Sequence, residues 1–203
     1  MQERRQSKAE KHAATRAALL ATARALFAAR GYAGTGTEDV VAAAGVTRGA
    51  LYYHFADKRA LFEAVVETVA QDVLAAIEAA AGQAASPVDA LVRGTGAFLD
   101  ACLEPGTRQI YLIDAPSVIG WPRWREIDAR HGGRSLRAGI DAALAALPAG
   151  RRLPAEALTY LLSGAMNEAV LWLADAKDER AARAAADAVF DRILRMLFAA
   201  GDG

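Results

Sequence analysis

The segment GVTRGALYYHF, residues 45–55, concentrates side chains that can recognise other molecules. Arginine can donate two parallel hydrogen bonds to a guanine edge, and tyrosine can bond a phosphate oxygen or pack on a thymine methyl group. In a helix, Leu51 and Phe55 lie four positions apart and share one face, while Arg48 and both tyrosines point elsewhere. The pattern predicts a short helix with one buried face and one face that reads an external surface. The alternative is that both tyrosines pack in a core.

Glycine and threonine residues predict the helices that hold this segment. A first helix is expected over about 8–30, and Thr37 is expected to cap a second helix that ends at Gly45. Thr47 is expected to cap the third helix, 48–55. A glycine turn between two short helices predicts a helix-turn-helix, whose second helix fits the major groove of DNA.

Three residues beside the tyrosines suit the same surface. Gly49 lacks a side chain that would keep DNA at a distance, and Lys58 just past the helix can bond a phosphate. His54 either contacts phosphate or forms a hydrogen bond within the turn. Asp57 is expected to cap a long fourth helix that continues to about residue 81, which is long enough to join one domain to another.

The charge distribution agrees with a polyanionic partner at one end of the chain. Residues 1–60 contain ten Lys or Arg and five Asp or Glu, whereas the remainder contains 14 and 19, so the net charge is zero. A basic first third suits contact with nucleic acid. Taken alone the excess is a weak signal, because a solvated charged face produces it too.

The composition indicates a cytoplasmic protein. No run approaches the roughly 18 uninterrupted apolar residues of a membrane span. The charged N-terminus has no apolar stretch behind it and does not resemble a signal peptide. Cys102 is the single cysteine, which rules out an internal disulfide and suits a reducing compartment. No membrane partner is expected.

Beyond a break at 82–87, apolar periodicity predicts further helices and no strand, so the expected fold class is all-α. The expected helices are 87–103, 107–119, 122–147, 154–175 and 178–199. The last two carry wide apolar stripes and are the candidate dimer interface, as in a four-helix arrangement of two copies. They could instead cover only the core of their own chain.

The stretch TGTEDVVAAAGVTRGALYYHFADKRALF, residues 35–62, resembles the DNA-binding signature of the tetracycline-repressor (TetR) family of bacterial regulators. The resemblance implies a homodimer with a helix-turn-helix domain at 1–60 and a ligand-binding and dimerisation domain at 61–203, joined by a long helix. The implied partners are a palindromic double-stranded DNA operator, a small-molecule effector and a second copy of the chain. Most members are repressors that their ligand releases from DNA; activation stays open.

The resemblance also implies roles for individual residues. Those at backbone-contacting or capping positions are Thr37, Thr47, Tyr52, His54 and Lys58. Those at base-reading positions are Arg48, Gly49 and Tyr53. Glu38 stands where some members have a basic residue that reads bases, which implies that the second helix reads none here.

A pocket for a mostly hydrophobic effector is expected among segments 98–131 and 160–172. Two tryptophans and charged residues surround a Gly-Trp-Pro break there, which forms either a pocket wall or only an anchored helix start. Asn167 interrupts an apolar face, either as a polar group in a pocket or as the rim of a dimer interface. The candidate ligand-binding residues are Phe98, Tyr111, Trp121, Trp124, Arg125, His131, Met166 and Asn167.

Sequence patterns of catalysis are missing. The chain has no H-E-x-x-H, G-x-S-x-G or G-K-[ST] motif, and its three histidines lack the spacing of metal ligands. No enzymatic activity, metal or cofactor is expected. The competing hypothesis is a helical small-molecule-binding or scaffold protein that does not bind DNA.

Overall fold

The computed structural model describes residues 8–199, and every regular element in that range is helical. Four helices form the first part of the chain: α1 (Lys8–Arg30), α2 (Thr37–Ala44), α3 (Arg48–His54) and α4 (Lys58–Ala81). These bounds confirm the predicted order of three helices followed by a long fourth one.

Local chemistry explains the ends of these helices. Gly45 ends α2 with a φ of 66°, a left-handed conformation that glycine adopts without steric cost. The Thr47 hydroxyl accepts a hydrogen bond from the Ala50 amide at the start of α3. The Asp57 carboxylate accepts one from the Ala60 amide at 2.7 Å and so caps α4. Both caps agree with the prediction.

The predicted cap of α2 was wrong. Gly36 occupies the capping position, and Thr37 is the first residue of the helix itself. The side chain that closes this end is that of Asp39, which accepts a hydrogen bond from the Gly36 amide at 2.8 Å. Thr37 therefore stands one position too late to cap the helix.

The remaining chain forms a second group of helices. Their ranges are α5 (Pro87–Leu103), α6 (Pro105–Arg108, Gln109–Asp114 and Ala115–Val118), α7 (Trp121–Arg130), α8 (Gly132–Ala145), α9 (Ala155–Ala174) and α10 (Glu179–Leu197). A short 3₁₀ turn, Ala149–Arg151, precedes α9.

The middle of α6 is a π-helix, which periodicity did not predict. The predicted helix 107–119 begins earlier, at Pro105, and its central part Gln109–Asp114 is π-helical. Pro116 lies two positions after the π-helix; in a regular helix its ring would clash with the carbonyl four residues back, and it has no N–H to donate. The wider π turn relieves that conflict.

The prediction of one helix over 122–147 was also wrong. The chain breaks at His131, where φ is −109° and ψ is −100°, values outside the helical region. Gly132 and Gly133 come next, and glycine lowers the cost of such a break. Ile127 and Leu136, which both pack on the core, are nine positions apart and would face opposite sides of one continuous helix, so the break also changes the phase of the apolar face.

Helix α4 contributes to both halves of the protein. One hydrophobic core extends from α1–α3 along α4 into the domain behind it, and a second core lies among α5, α8, α9 and α10. Fully buried residues of the first core include Leu19, Phe27, Leu51, Phe62, Val66, Leu99 and Ile127. Since α4 packs along its whole length, a domain boundary at residue 60 stays a prediction. No helix of the described residues is long and apolar enough to cross a membrane.

Candidate nucleic-acid interface and effector site

Helix α3 separates its residues as the sequence predicts. Leu51 is completely buried and Phe55 nearly so, whereas Tyr53 is 73% exposed and Tyr52 is 42% exposed. The alternative in which both tyrosines pack in a core is therefore wrong. Arg48 and Gly49 are exposed as well. We call Arg48, Gly49, Tyr52 and Tyr53 the reading face.

Arg48 is held at the edge of this face by two neighbours. Its guanidinium lies 3.1 Å from the Glu38 carboxylate on α2 and 5.5 Å from the centre of the Tyr52 ring. Both side chains of the ion pair are about two-thirds exposed, so solvent screens their attraction. The guanidinium can thus exchange Glu38 for a base edge or a phosphate at small cost.

His54 lies at the end of α3 against the N-terminal part of α1. Its ring centre is 4.2 Å from that of His12 and 5.5 Å from that of Tyr53. The buried Nδ1 atom has no hydrogen-bond partner among the described residues, so the predicted bond within the turn is not formed through that atom. Burial lowers the pKa of His54, and His12 and Arg16 lower it further. A neutral ring is favoured here.

Lys58 begins α4, and its ammonium lies 4.0 Å from the centre of the Tyr32 ring. Tyr32 in turn donates its backbone N–H to the Asp114 carboxylate at 2.7 Å, which links the first domain to α6. Lys58 is therefore partly engaged in a cation–π contact. Thr47 caps α3 and is exposed, whereas Thr37 is the first residue of α2.

Residues 119–131 lie along α4 and contact it at three successive turns. We call these three contacts the seam. Arg59 donates to the Ile119 carbonyl at 3.0 Å, and Arg123 pairs with Glu63 at 2.7 Å. At the third turn Glu67 pairs with Arg130 and lies 2.8 Å from Nε2 of His131. Burial tends to raise the pKa of Glu67, but the bonds from His131 and Arg130 outweigh it and lower that pKa.

Several cavities flank α7 in the described part of the chain. The inner cavity, of about 70 Å³, lies among α4, α5, α8 and α9, and its lining is mostly apolar. Two of the predicted ligand residues, Phe98 and Met166, line it. It also touches Thr95 and Asp128, both only 4% exposed, which the sequence analysis did not select.

Asp128 is the centre of a buried polar cluster at the inner cavity. Its carboxylate accepts hydrogen bonds from the Tyr111 hydroxyl at 3.1 Å, from Arg125 at 3.0 Å and from the Ser163 hydroxyl at 3.5 Å. Burial raises the pKa of Asp128, and the neighbouring Arg125 opposes that shift. The spacing of Asp128 from Trp124, one helical turn along a buried face, was the signal that could have identified it.

The outer groove, of about 620 Å³, lies on the other side of α7 between α6 and α9. Predicted ligand residues that line it are Trp121, Trp124, Arg125 and Asn167. The Asn167 Oδ1 atom is buried without a hydrogen-bond partner among the described residues. An amide oxygen in that state is available to a ligand donor.

The other predicted ligand residues have mainly structural contacts. Tyr111 is buried, with its hydroxyl on Asp128 and its carbonyl accepting from the Trp124 indole at 2.7 Å. His131 lies at the break between α7 and α8, on Glu67. His131 also lines a further groove with Arg125, so the eight candidates do not converge on one cavity.

The remaining chemistry-bearing groups do not form another site in the described chain. Cys102 is buried, and burial together with Asp128 raises the pKa of its thiol, so the reactive thiolate is disfavoured. No group of three or more His, Cys, Asp or Glu side chains within residues 8–199 is placed to hold a metal ion.

Helices α9 and α10 present large apolar side chains to solvent. The exposed residues of this surface are Leu161, Trp172, Val189, Ile193 and Met196. Behind them α9 and α10 pack on the second core through Leu162 and Leu194. Each helix therefore has two apolar sides. One side packs on the second core, and the other is exposed to solvent in the single chain. Uncovered apolar surfaces of this kind mark contacts between proteins.

Comparisons with known proteins agree with this architecture. Residues 19–65 match the bacterial regulatory proteins of the tetR family, and residues 88–197 match the tetracyclin repressor-like C-terminal domain. The solved structure of a TetR-family transcriptional regulator from Pectobacterium atrosepticum is 34% identical, with a TM-score of 0.76 over 97% of this chain and 100% of that one.

Two curated relatives match over a shorter length. The transcriptional repressor BepR of Brucella suis is 42% identical over 62 residues, which are 30% of this chain and 29% of that protein. The transcriptional regulator AcrR of Shigella flexneri is 45% identical over 53 residues, 26% of this chain and 25% of that protein. These matches span less than a third of either relative. The two domain matches and the full-length structural relative show that the chain belongs to the TetR family of bacterial regulatory proteins.

Proposed function

We propose that this protein is a transcriptional regulator that binds a palindromic operator as a homodimer and leaves it when a small, mostly hydrophobic molecule binds behind α4. The observation that carries the proposal is the reading face: Arg48, Gly49 and both tyrosines are exposed on a helix whose other side is buried. A face of this composition suits the major groove. Repression as the sense of regulation is supported by the name of the BepR relative.

Dimerisation would occur through the uncovered surface of α9 and α10. Two copies related by a two-fold axis would bury Leu161, Trp172 and Ile193 against each other in a four-helix arrangement. The same symmetry would present two copies of α3 to one side of a duplex. We further propose that the protein acts in the cytoplasm, where the DNA of a bacterium lies.

The seam supports a route from effector to DNA. Residues 119–131 separate the inner cavity from the outer groove, and the seam ties them to three turns of α4. Helix α4 begins directly behind α3, so a shift of α7 would change the separation of the two reading faces. A ligand produces that shift only if it binds one arrangement more tightly than the other.

DNA binding is tested by footprinting the full chain on the region upstream of its own coding sequence. The expected result is two protected half-sites whose centres are about 34–36 Å apart or a multiple of that distance. Tyr53→Ala should weaken binding about tenfold, since a contact to a base is worth about 1–3 kcal/mol. Ile113→Ala, which removes an exposed apolar side chain from α6, outside the reading face and the α9–α10 surface, is the control. Equal loss in both variants, or no protection at all, would favour a helical binding protein that does not use DNA.

A further inference from the structure

We propose that the inner cavity selects a neutral, hydroxyl-bearing molecule of about one ring, which bonds Thr95 and the Asp128 cluster. The inference concerns the chemical class of the effector, and its regulatory consequence rests on the proposed function. Binding itself can be measured without DNA, so the two can fail separately.

Thr95 supplies the first argument. Its side chain lines the inner cavity and is almost fully buried, yet its hydroxyl makes no hydrogen bond among the described residues. The hydroxyl is not among the fully enclosed unpartnered atoms of the described residues, so its oxygen is open to the cavity and can bond a ligand or water there. The walls around it, which include Ile77, Leu91 and Phe98, are apolar. An otherwise apolar ligand with a hydroxyl group would bond Thr95 and pack against these apolar walls.

Asp128 supplies the second argument, because its environment selects against charge. Arg125 already neutralises the carboxylate at 3.0 Å, so a cation would gain little there. An anion would meet a carboxylate in a cavity with few other polar groups. Transfer of either ion from water into such a site is costly. A carboxylate has about four acceptor positions, of which three are used, so one remains for a neutral donor.

The volume of the inner cavity limits the ligand to a small molecule. About 70 Å³ corresponds to two or three waters, whereas a cavity of about 150 Å³ accommodates benzene. The cavity must therefore roughly double for one ring. Met166 is unbranched and adapts its shape easily, and Gly132, Gly133 and Gly139 form a wall without side chains. Widening at Gly132 displaces the adjacent break at His131, which contacts α4 through Glu67.

Methionine methyl resonances locate the ligand. The chain has three methionines, of which Met166 lines the inner cavity and Met196 is exposed on α10. In full-length protein with ¹³C-labelled methionine methyl groups, phenol should shift the Met166 signal and leave that of Met196 in place. A shift at Met196 instead, or no shift at either, overturns the proposal.

Matched probes and a matched variant test the chemistry. Calorimetric titration should show phenol binding about 3–10-fold more tightly than toluene, the worth of one or two hydrogen bonds, with benzylamine and benzoate weaker than both. Thr95→Val keeps the shape of the side chain and should reduce the preference for phenol without changing toluene affinity. Equal affinities of phenol and toluene, or tighter binding of either ion, overturn the proposal. Phenol that binds as expected but leaves operator affinity unchanged contradicts only the coupling in the proposed function.

Discussion

At the scale of single residues, Arg48 is the side chain whose role on DNA can be tested most directly. Arg48→Ala should cost about 1–3 kcal/mol of operator binding and relax the preference at one base pair in each half-site. Glu38→Ala should have the opposite effect on affinity, because it removes the carboxylate 3.1 Å from the guanidinium. Fluorescence anisotropy on a set of singly substituted operators measures both. If Arg48→Ala weakens every sequence alike, the residue contacts only the backbone.

Lys58 serves as the contrasting residue. Its ammonium is positioned by Tyr32 and would reach phosphate rather than a base. Lys58→Ala should weaken all operators about equally and reduce the slope of affinity against salt by about one. A changed sequence preference in this variant would contradict the division of roles between Lys58 and Arg48.

Sequence reasoning succeeded best for residues whose position follows from helical spacing. The burial of Leu51 and the exposure of Tyr53 were predicted, because a short amphipathic helix leaves few alternatives. Thr37 was assigned as a cap one position too late, since glycine can occupy that position as well. Asp128 was missed because a carboxylate is normally expected at the surface, and only the folded chain brings Tyr111 and Ser163 to it.

At the scale of the elements, two glycines of the helix-turn-helix should respond oppositely to the same substitution. Gly45 has a φ of 66° with open space around it, so Gly45→Ala should lower the free energy of unfolding by about 1–2 kcal/mol through backbone strain alone. Gly49 lies inside α3, where an added Cβ would meet only the Thr47 hydroxyl at an ordinary contact distance of 3.9 Å, so Gly49→Ala should raise the free energy of unfolding by up to about 1 kcal/mol.

Operator binding separates the two variants further. The methyl group of Gly49→Ala lies on the reading face and should weaken DNA binding although the protein is more stable. Chemical denaturation and anisotropy on the same preparations give both quantities. A Gly49→Ala protein that binds its operator normally would remove Gly49 from the reading face.

The contribution of the seam to the stability of the protein should depend on pH. The pKa of Glu67 is lowered in the folded chain, against the burial that would raise it, by bonds from His131 and Arg130. A lowered carboxylate pKa contributes stability above the unfolded value of 4.5, and that contribution is lost as the pH falls through the folded pKa. Glu67→Gln should therefore lower the melting temperature at pH 7, and the difference from the native protein should shrink at acidic pH. Glu78→Gln, an exposed position on the same helix, is the control; an equal and pH-independent loss in both would contradict the assignment.

Helical periodicity predicted the existence of the elements but not their irregular parts. Caps and glycines fixed α1 to α5 closely, because each boundary has a local cause in the chain. The break at His131 is accompanied by a contact with Glu67, which is 64 positions away and cannot be seen in a local pattern. The π turn of α6 likewise becomes understandable only once Pro116 is seen inside a continuous helix.

At the scale of the whole molecule, the uncovered surface of α9 and α10 is the proposed dimer interface, and a single substitution tests it. Val189→Glu places a charge at an exposed apolar position of this surface and should shift the protein toward monomer. Operator affinity should fall with it, since the two half-sites are then bound independently. Ile113→Glu changes an exposed isoleucine on α6 in the same way and is the control. Sedimentation velocity reports the mass; an unchanged dimer in Val189→Glu would locate the interface elsewhere.

The π turn of α6 also makes the arrangement of the protein sensitive to the deletion of a single residue. A π turn contains one residue more than the α-helical turn that it replaces, and each residue of an α-helix advances by about 100° around the axis. Removal of one residue from Gln109–Asp114 would thus rotate everything before it against everything after it by more than a quarter of a circle. Asp114, which holds the Tyr32 amide of the DNA-binding domain, and Trp121, which lines the outer groove, could not both keep their places. The rotation of the two domains relative to each other therefore depends on the number of residues in the π turn. A deletion there could not be compensated by substituting one amino acid for another.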